Sequence, residues 1–335
     1  MAFQRLVFAV SLSLCTFASD LARADYATHP LAQAFMDKMV KEHNFKRQEV
    51  AALLRAAEKK PAILEAIARP AEKSKPWFEY RKIFLGADRI EQGVTFWSEN
   101  AAALREAEQR FGVPAKMIVA IIGVETRFGR QMGSHRVIDA LSTLAFDYPP
   151  RAPFFTQELE AFLVLTRSQK QNPLSLMGSY AGAMGFGQFM PSSVQNFAVD
   201  FDDDGVEDIW QNKRDAIGSV ANYFKGNGWQ KGAAVVTPAR ALPGFDAQAL
   251  NTKAKPTVSL ADMRNKGFVP LHNTYPANLP VEALSYAAET GTDYWLGFTN
   301  FYVITRYNRS QMYALAAWQL GEAIEAARMA PKAKQ

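Results

Sequence analysis

Glu125 is the residue whose position invites chemistry. It closes the apolar run "IIGVETRFG", residues 121–129, with the turn-forming Gly129 close behind. An apolar setting disfavours a charged carboxylate and raises its pKa. The partial negative charge of a helix C-terminus acts in the same direction. A carboxyl held protonated near neutral pH suits general acid catalysis. The structural alternative is a surface glutamate that closes a helix and pairs with Arg127 or Arg130. No second catalytic acid adjoins it. Asp139, Asp147 and Glu158 are the acids that folding could bring near, whereas ordinary glycosidases work with a pair.

Two further stretches carry chemical potential. In "GSYAGAMGFGQFMPSS", residues 178–193, four glycines let backbone pass close to a ligand or another element. Ser179, Gln188, Ser192 and Ser193 add neutral hydrogen-bonding groups, suited to sugars and amides. The segment lacks the lysine of a phosphate loop. In "DFDDDGVEDIWQ", Asp200, Asp202 and Asp204 occupy positions 1, 3 and 5 of a calcium loop. Gly205 stands at the sharp turn and Val206 where a backbone carbonyl would ligate. Position 12 is Gln211, not glutamate, and Asp215 could close the shell if the loop bulges. Carboxylates this close call for a cation, and a structural calcium is expected, with no organic cofactor. The histidines at 29, 43, 135 and 272 form no metal spacing, and the nucleophile elbow of serine hydrolases is missing.

These stretches must be positioned by helices. "HPLAQAFMDKMVKEH" shows a helical face at Leu31, Ala34, Phe35, Met39 and Val40. Two short helices follow, bounded by Pro61 and Pro70, and then the aromatic "KSKPWFEYRKIF". Residues 89–111 read as one amphipathic helix. Gly112 and Pro114 open the next, which is apolar on every side from Met117 to Ile122 and therefore central. Helices are expected at 138–147, 154–168 and through "RDAIGSVANYFKGNGW". From about 233 to 300 helical periodicity fades, and "PTVSL" and "GFVPL" suggest strands of a small β lobe. The expected division is an N-terminal helical lobe at 25–75 joined by a C-terminal helix at 309–330, a catalytic core at 76–232, and the β lobe at 233–300. The fold class is mainly α, with an α+β character.

Composition bounds the setting. Of 335 residues 48% are hydrophobic, enough for a large core. Residues 1–24 combine Arg5, a short apolar stretch and Ala22-Arg23-Ala24, the pattern of a secretory signal peptide, and imply a periplasmic protein. Its removal would leave a net charge of +4 and no cysteine, because Cys15 is the chain's single cysteine. A mature chain without thiols has no disulfide and no cysteine nucleophile. Anchoring through a lipid on Cys15 is the alternative, disfavoured by Leu14 where a small residue is needed. The modest, dispersed positive charge favours an anionic polymer but lacks the clustered basic stripe of a nucleic-acid binder.

Taken together, "GVETRFGR", "LSTLAFDYPPRAPFF", "GSYAGAMGFGQFMPSSVQNFAVDFDDDG", "DAIGSVANYFKGNGW" and "NFYVITRYNRS" resemble the membrane-bound lytic transglycosylase B family, glycoside hydrolase family 103. The resemblance implies a lysozyme-like helical core and a single catalytic glutamate, Glu125. That residue would cleave the N-acetylmuramic acid–N-acetylglucosamine bond of peptidoglycan and form a 1,6-anhydro ring. It also implies that Ser179 and Gln188 contact sugars and that Tyr80 and Tyr223 line the groove. Asn300 and Tyr302 lie in the matching "NFYVITRYN" segment, and Asp200, Asp202, Asp204, the Val206 carbonyl and Asp215 bind calcium. "QNKR" before Asp215 looks one residue longer than the family's pattern, and the lipobox of anchored members is absent. A monomer acting on glycan strands, in company with other cell-wall enzymes, is the expectation. A hydrolytic muramidase or a non-catalytic peptidoglycan-binding protein are the competing readings.

Overall fold

The structure is a computed structural model and describes residues 25–69, 75–272 and 274–330. The expectations for the leader, Cys15 and Pro70 lie outside these residues. The described chain begins with α1 (Pro30–His43), α2 (Arg47–Ala56), α3 (Pro61–Ala68) and the short α4 (Trp77–Tyr80). The core helices follow: α5 (Ala87–Glu99), α6 (Ala101–Phe111), α7 (Ala115–Thr126), α8 (Val137–Asp147), α9 (Ala152–Ser168), α10 (Pro191–Phe197) and α11 (Lys213–Gly226). A miniature antiparallel pair, β1 (His135–Arg136) with β2 (Met177–Gly178), sits among them. The β lobe contributes β3 (Val236–Ala241), β4 (Val258–Ser259), α12 (Leu260–Asn265), β5 (Phe268–Pro270), β6 (Pro280–Ala287) and β7 (Thr292–Phe298). The chain ends with α13 (Thr299–Tyr307) and α14 (Gln311–Met329).

Helix α7 is the axle, as its uninterrupted apolar sequence requires. Every residue from Met117 to Gly123 is buried. Helices α5, α6, α11 and α14 pack around it. Glycines set two of these approaches. A methyl group on Gly93 of α5 would fall 2.3 Å from the Ile324 side chain of α14. One on Gly321 of α14 would fall 2.9 Å from the Lys116 carbonyl of α7.

Three expectations are corrected. Residues 89–111 form two helices, because the chain bends at Asn100 (φ −112°, ψ 21°), whose side-chain amide donates to the Phe96 carbonyl. The bend lets α5 face α14 while α6 faces α11. The α1 face has the expected period and holds Phe35 and Met39 as expected, but it is rotated: Ala32 and Met36 are buried with them, and Leu31, Ala34 and Val40 face solvent. The C-terminal helix does not complete the N-terminal lobe. It lies on α5 and α7, while α1 and α3 pack on α9 and α8.

The five-stranded sheet has the order β4-β6-β7-β3-β5, antiparallel throughout. Alternation along β6 explains how it is held. Val281 and Ala283 join a small core with Leu260, Met263, Phe268, Leu296 and Phe298. Leu284 and Tyr286, on the opposite face, join the main helical core. The lobe is therefore anchored on both faces.

Candidate active site

Glu125 lies in the last turn of α7 and is half-buried. The turn after it is unusual. Arg127 (φ 48°), Phe128 (φ 61°) and Gly129 (φ 87°) are all left-handed, a conformation that costs non-glycine residues energy and is retained only under tertiary constraint. The constraint is visible. The Thr126 hydroxyl donates to the Phe186 carbonyl at 3.0 Å and accepts from the Gly129 amide at 3.0 Å. Phe128 swings back onto Phe96 and into the space left by Gly123, where a methyl group would fall 2.6 Å from its ring. Arg89 is buried and donates to the Gly123 carbonyl at 3.1 Å, placing a cation at the negative end of the helix. Arg127, one candidate partner for the glutamate, pairs instead with Asp88.

Four tyrosines gather at Glu125. The Tyr313 hydroxyl, from the first turn of α14, donates to Glu125 Oε1 at 2.5 Å. Tyr307, at the end of α13, donates to the Gly187 carbonyl at 2.6 Å, and a methyl group on Gly187 would lie 2.8 Å from its oxygen. Burial, and then the neighbouring Glu125 carboxylate, push both phenols well above their ordinary pKa, so both remain protonated donors. Tyr80, buried at the end of α4, lies near enough to Tyr313 to act on it electrostatically. Tyr223 of α11 packs on Tyr307 with ring centroids 4.6 Å apart and donates to the Arg306 carbonyl. Burial pushes its phenol up to about 12, against the opposing Arg306 and Arg309 guanidiniums. Tyr307 and Tyr313 were missed in the sequence. The signal was a tyrosine at a buried position of an apolar helix, which needs a polar partner.

The glycine-rich segment folds against this cluster. Ser179 Oγ accepts from the amides of Ala181 and Ala183. Gln188 (φ 49°) donates to the carbonyls of Met132 and Gly185. Both thus shape the loop that carries Phe186 and Gly187 to Glu125. Tyr302 is half-buried with the Arg306 guanidinium 4.1 Å over its ring. Asn300 is corrected. It is wholly buried, accepts from Gln230 N and donates to the Gln230 and Ala233 carbonyls, so it ties α13 to the loop after α11 and offers nothing to a ligand.

The acids named as possible partners of Glu125 are committed elsewhere. Asp139 is buried, paired with Arg136 and bonded by the Glu58 amide. Asp147 accepts from Tyr26 and pairs with Lys59. Glu158 accepts from the Ser192 amide and hydroxyl.

At the acidic loop, Asp200, Asp202 and Asp204 present oxygens within 4.8 Å of one another, a cluster of hard donors that fits calcium. Asp200 also accepts from the amides of Asp204 and Gly205, and Gly205 turns the chain with φ 90°. Asp215 stands outside that close trio. It is buried at the start of α11, and its two oxygens accept from the Phe201 and Asp208 amides at 2.8 Å, clasping the loop's two ends. Burial pushes its carboxyl up to about 6, partly opposed by these two bonds. Val206 is exposed, and its amide donates to Asp204.

A helical core holding one carboxylate at the end of its central helix, within a tyrosine cluster and beneath a glycine-rich loop, defines a lysozyme-like enzyme of the lytic transglycosylase class. Residues 27–322 match the model of the transglycosylase SLT domain family. The chain is 45% identical over 317 residues to the membrane-bound lytic murein transglycosylase B of Escherichia coli, covering 91% of this chain and 85% of that one. The Escherichia coli lytic transglycosylase Slt35, solved in complex with calcium, superposes with a TM-score of 0.83 at 45% identity, over 91% of this chain and 96% of that one. Pseudomonas aeruginosa SltB3, solved with NAG-NAM-pentapeptide, superposes with a TM-score of 0.79 at 30% identity, over 91% and 81%. The chain belongs to the lytic murein transglycosylase family that bears this SLT domain.

Proposed function

We propose that this protein cleaves the bond between N-acetylmuramic acid and N-acetylglucosamine in peptidoglycan, with Glu125 as its sole acid–base group. The observation that carries the reading is the solitary carboxylate: Asp139, Asp147 and Glu158 are all spent in the fold. Protonated Glu125 gives its proton to the glycosidic oxygen as the C1–O bond breaks. The substrate's own acetamido group stabilises the electron-poor C1. The carboxylate of Glu125 then takes the proton of the muramyl 6-hydroxyl while O6 bonds to C1. The ring closes, the glutamate is reprotonated, and no water is consumed. Tyr313 orients the carboxyl through both steps, and Tyr307 holds the loop backbone beside it.

Asp200, Asp202 and Asp204 would hold a calcium ion, for which the Slt35 complex with calcium is support. That ion would supply loop rigidity and charge compensation. Export to the periplasm and turnover of glycan strands fit the N-terminal sequence pattern. Among the described residues no helix is long and apolar enough to cross a membrane.

Mass spectrometry of digested sacculi tests the reaction. The expected product is lighter than the hydrolytic one by one water. Glu125→Gln should lose at least about 10²- to 10⁴-fold in rate, the usual share of a general acid–base group. Reducing-end products, or full activity in this variant, would sink the proposal.

A further inference from the structure

Where the first turn of α14 meets the β lobe, a concavity of about 590 Å³ opens. Lys75, Lys253 and Arg309 line it, with Trp77, Tyr286 and Gln311, and no acid lines it. Among the described residues none of these three cations has an ion pair, although Lys38, Lys116 and Arg136 each have one. The nearest acid, Glu282, is buried and bonded by the Lys253 amide, the Thr252 hydroxyl and the Gln311 side chain. Burial raises its pKa, which weakens its claim on the cations above it.

Residues that line the concavity adjoin residues of the active site. Gln311 stands two residues before Tyr313, a rise of about 3 Å along the helix, and Tyr313 holds Glu125. Trp77 touches both Tyr286 and Tyr80, with ring centroids 5.2 and 6.3 Å away. Arg309 acts electrostatically on Tyr223. A stem that hangs from a sugar at Glu125 would reach these cations along that shared lining.

We propose that this pocket binds the carboxylates of the peptide stem carried by the muramyl residue at the scissile bond. Cations without partners supply the charge complement, and the Trp77 and Tyr286 rings supply an apolar wall for the peptide. The inference rests on the peptidoglycan reading above and deepens it.

Kinetics of the full chain test it on three substrates: glycan strands bearing stems, the same strands stripped of stems, and strands whose stem carboxylates have been amidated. Lys253→Ala/Arg309→Ala should raise KM about three- to tenfold on stem-bearing strands, as two exposed charge contacts allow. Its kcat should stay unchanged, and stripped or amidated strands should show no rise. Lys75→Gln, a milder variant, should move KM in the same direction, and Arg309→Lys should restore most of the loss. Equal KM for variant and wild type on stem-bearing strands, or an equal rise on stripped strands, overturns the inference. A wild type that yields no anhydro product from any of the three substrates overturns instead the reaction proposed above.

Discussion

At the scale of single residues the site depends on one hydrogen bond that has no sequence motif. Tyr313→Phe keeps the ring packing and removes the donor to Glu125. One hydrogen bond to a charged group is worth about 1.5–3 kcal/mol. The expected outcome is a fall in kcat of about tenfold or more, with KM little changed, read in a steady-state assay on sacculi. Asn300 gives the opposite signature. Asn300→Ala removes the buried partner of the Gln230 amide and of two carbonyls in a part-buried setting. Each unsatisfied group costs about 1–3 kcal/mol, so the midpoint of chemical denaturation should fall while kcat/KM of the folded fraction stays near that of the wild type. A large rise in KM without loss of stability would restore Asn300 as a ligand residue.

At the scale of elements, the segment from Thr126 to Gly129 decides whether the glutamate is presented at all. Gly129 has φ 87°, and a methyl group there would lie 2.2 Å from the Phe186 ring. Gly129→Ala combines a left-handed penalty of about 1–2 kcal/mol with overpacking of about 1–3 kcal/mol. It should lower the melting temperature and the activity together. The calcium loop gives a pH test. The Asp215 carboxyl has an ordinary pKa of 3.8 and is pushed up to about 6 in the fold, so the fold favours its neutral form. That contribution is complete below the unfolded pKa and is lost as pH rises through the folded value. A cation at Asp200, Asp202 and Asp204 reverses the penalty by stabilising the charged form. The calcium-induced rise in melting temperature should accordingly be large at pH 7 and small near pH 4.5, measured by calorimetry with and without chelator. An equal rise at both pH values would count against the site.

At the scale of the whole molecule, distant segments converge. Glu125 comes from α7, Tyr223 from α11, Tyr307 from α13 and Tyr313 from α14, and the loop at Gly187 closes over them. The β lobe bears on this site through its fixed orientation: β6 is buried on both faces, and Tyr286 donates to the Gln311 carbonyl at the head of α14. Another concavity, of about 1060 Å³, is lined by Trp229, Trp295, Trp318 and Lys116. Lys116 lies at the other end of α7, nine residues from Glu125, which is about 13 Å along the helix axis. This concavity therefore opens away from the end of α7 where the glutamate stands.

Much was determined by the sequence alone, and the reason is local. Unbroken apolar residues from Met117 to Ile122 force a buried helix, and Glu125 must stand at its end whatever surrounds it. The spacing of Asp200, Asp202, Asp204 and Gly205 dictates a turn crowded with carboxylates because it is written within a few residues. What needed the tertiary structure was every choice made between distant segments. A period of 3.6 finds α1 but leaves its phase to the surface it meets, so Leu31 and Val40 point to water. A continuous amphipathic pattern cannot reveal the bend at Asn100, because each half is turned to a different neighbour. Tyr313 lies 188 positions from Glu125 in the chain. No periodicity links residues so far apart, and packing alone makes one the partner of the other.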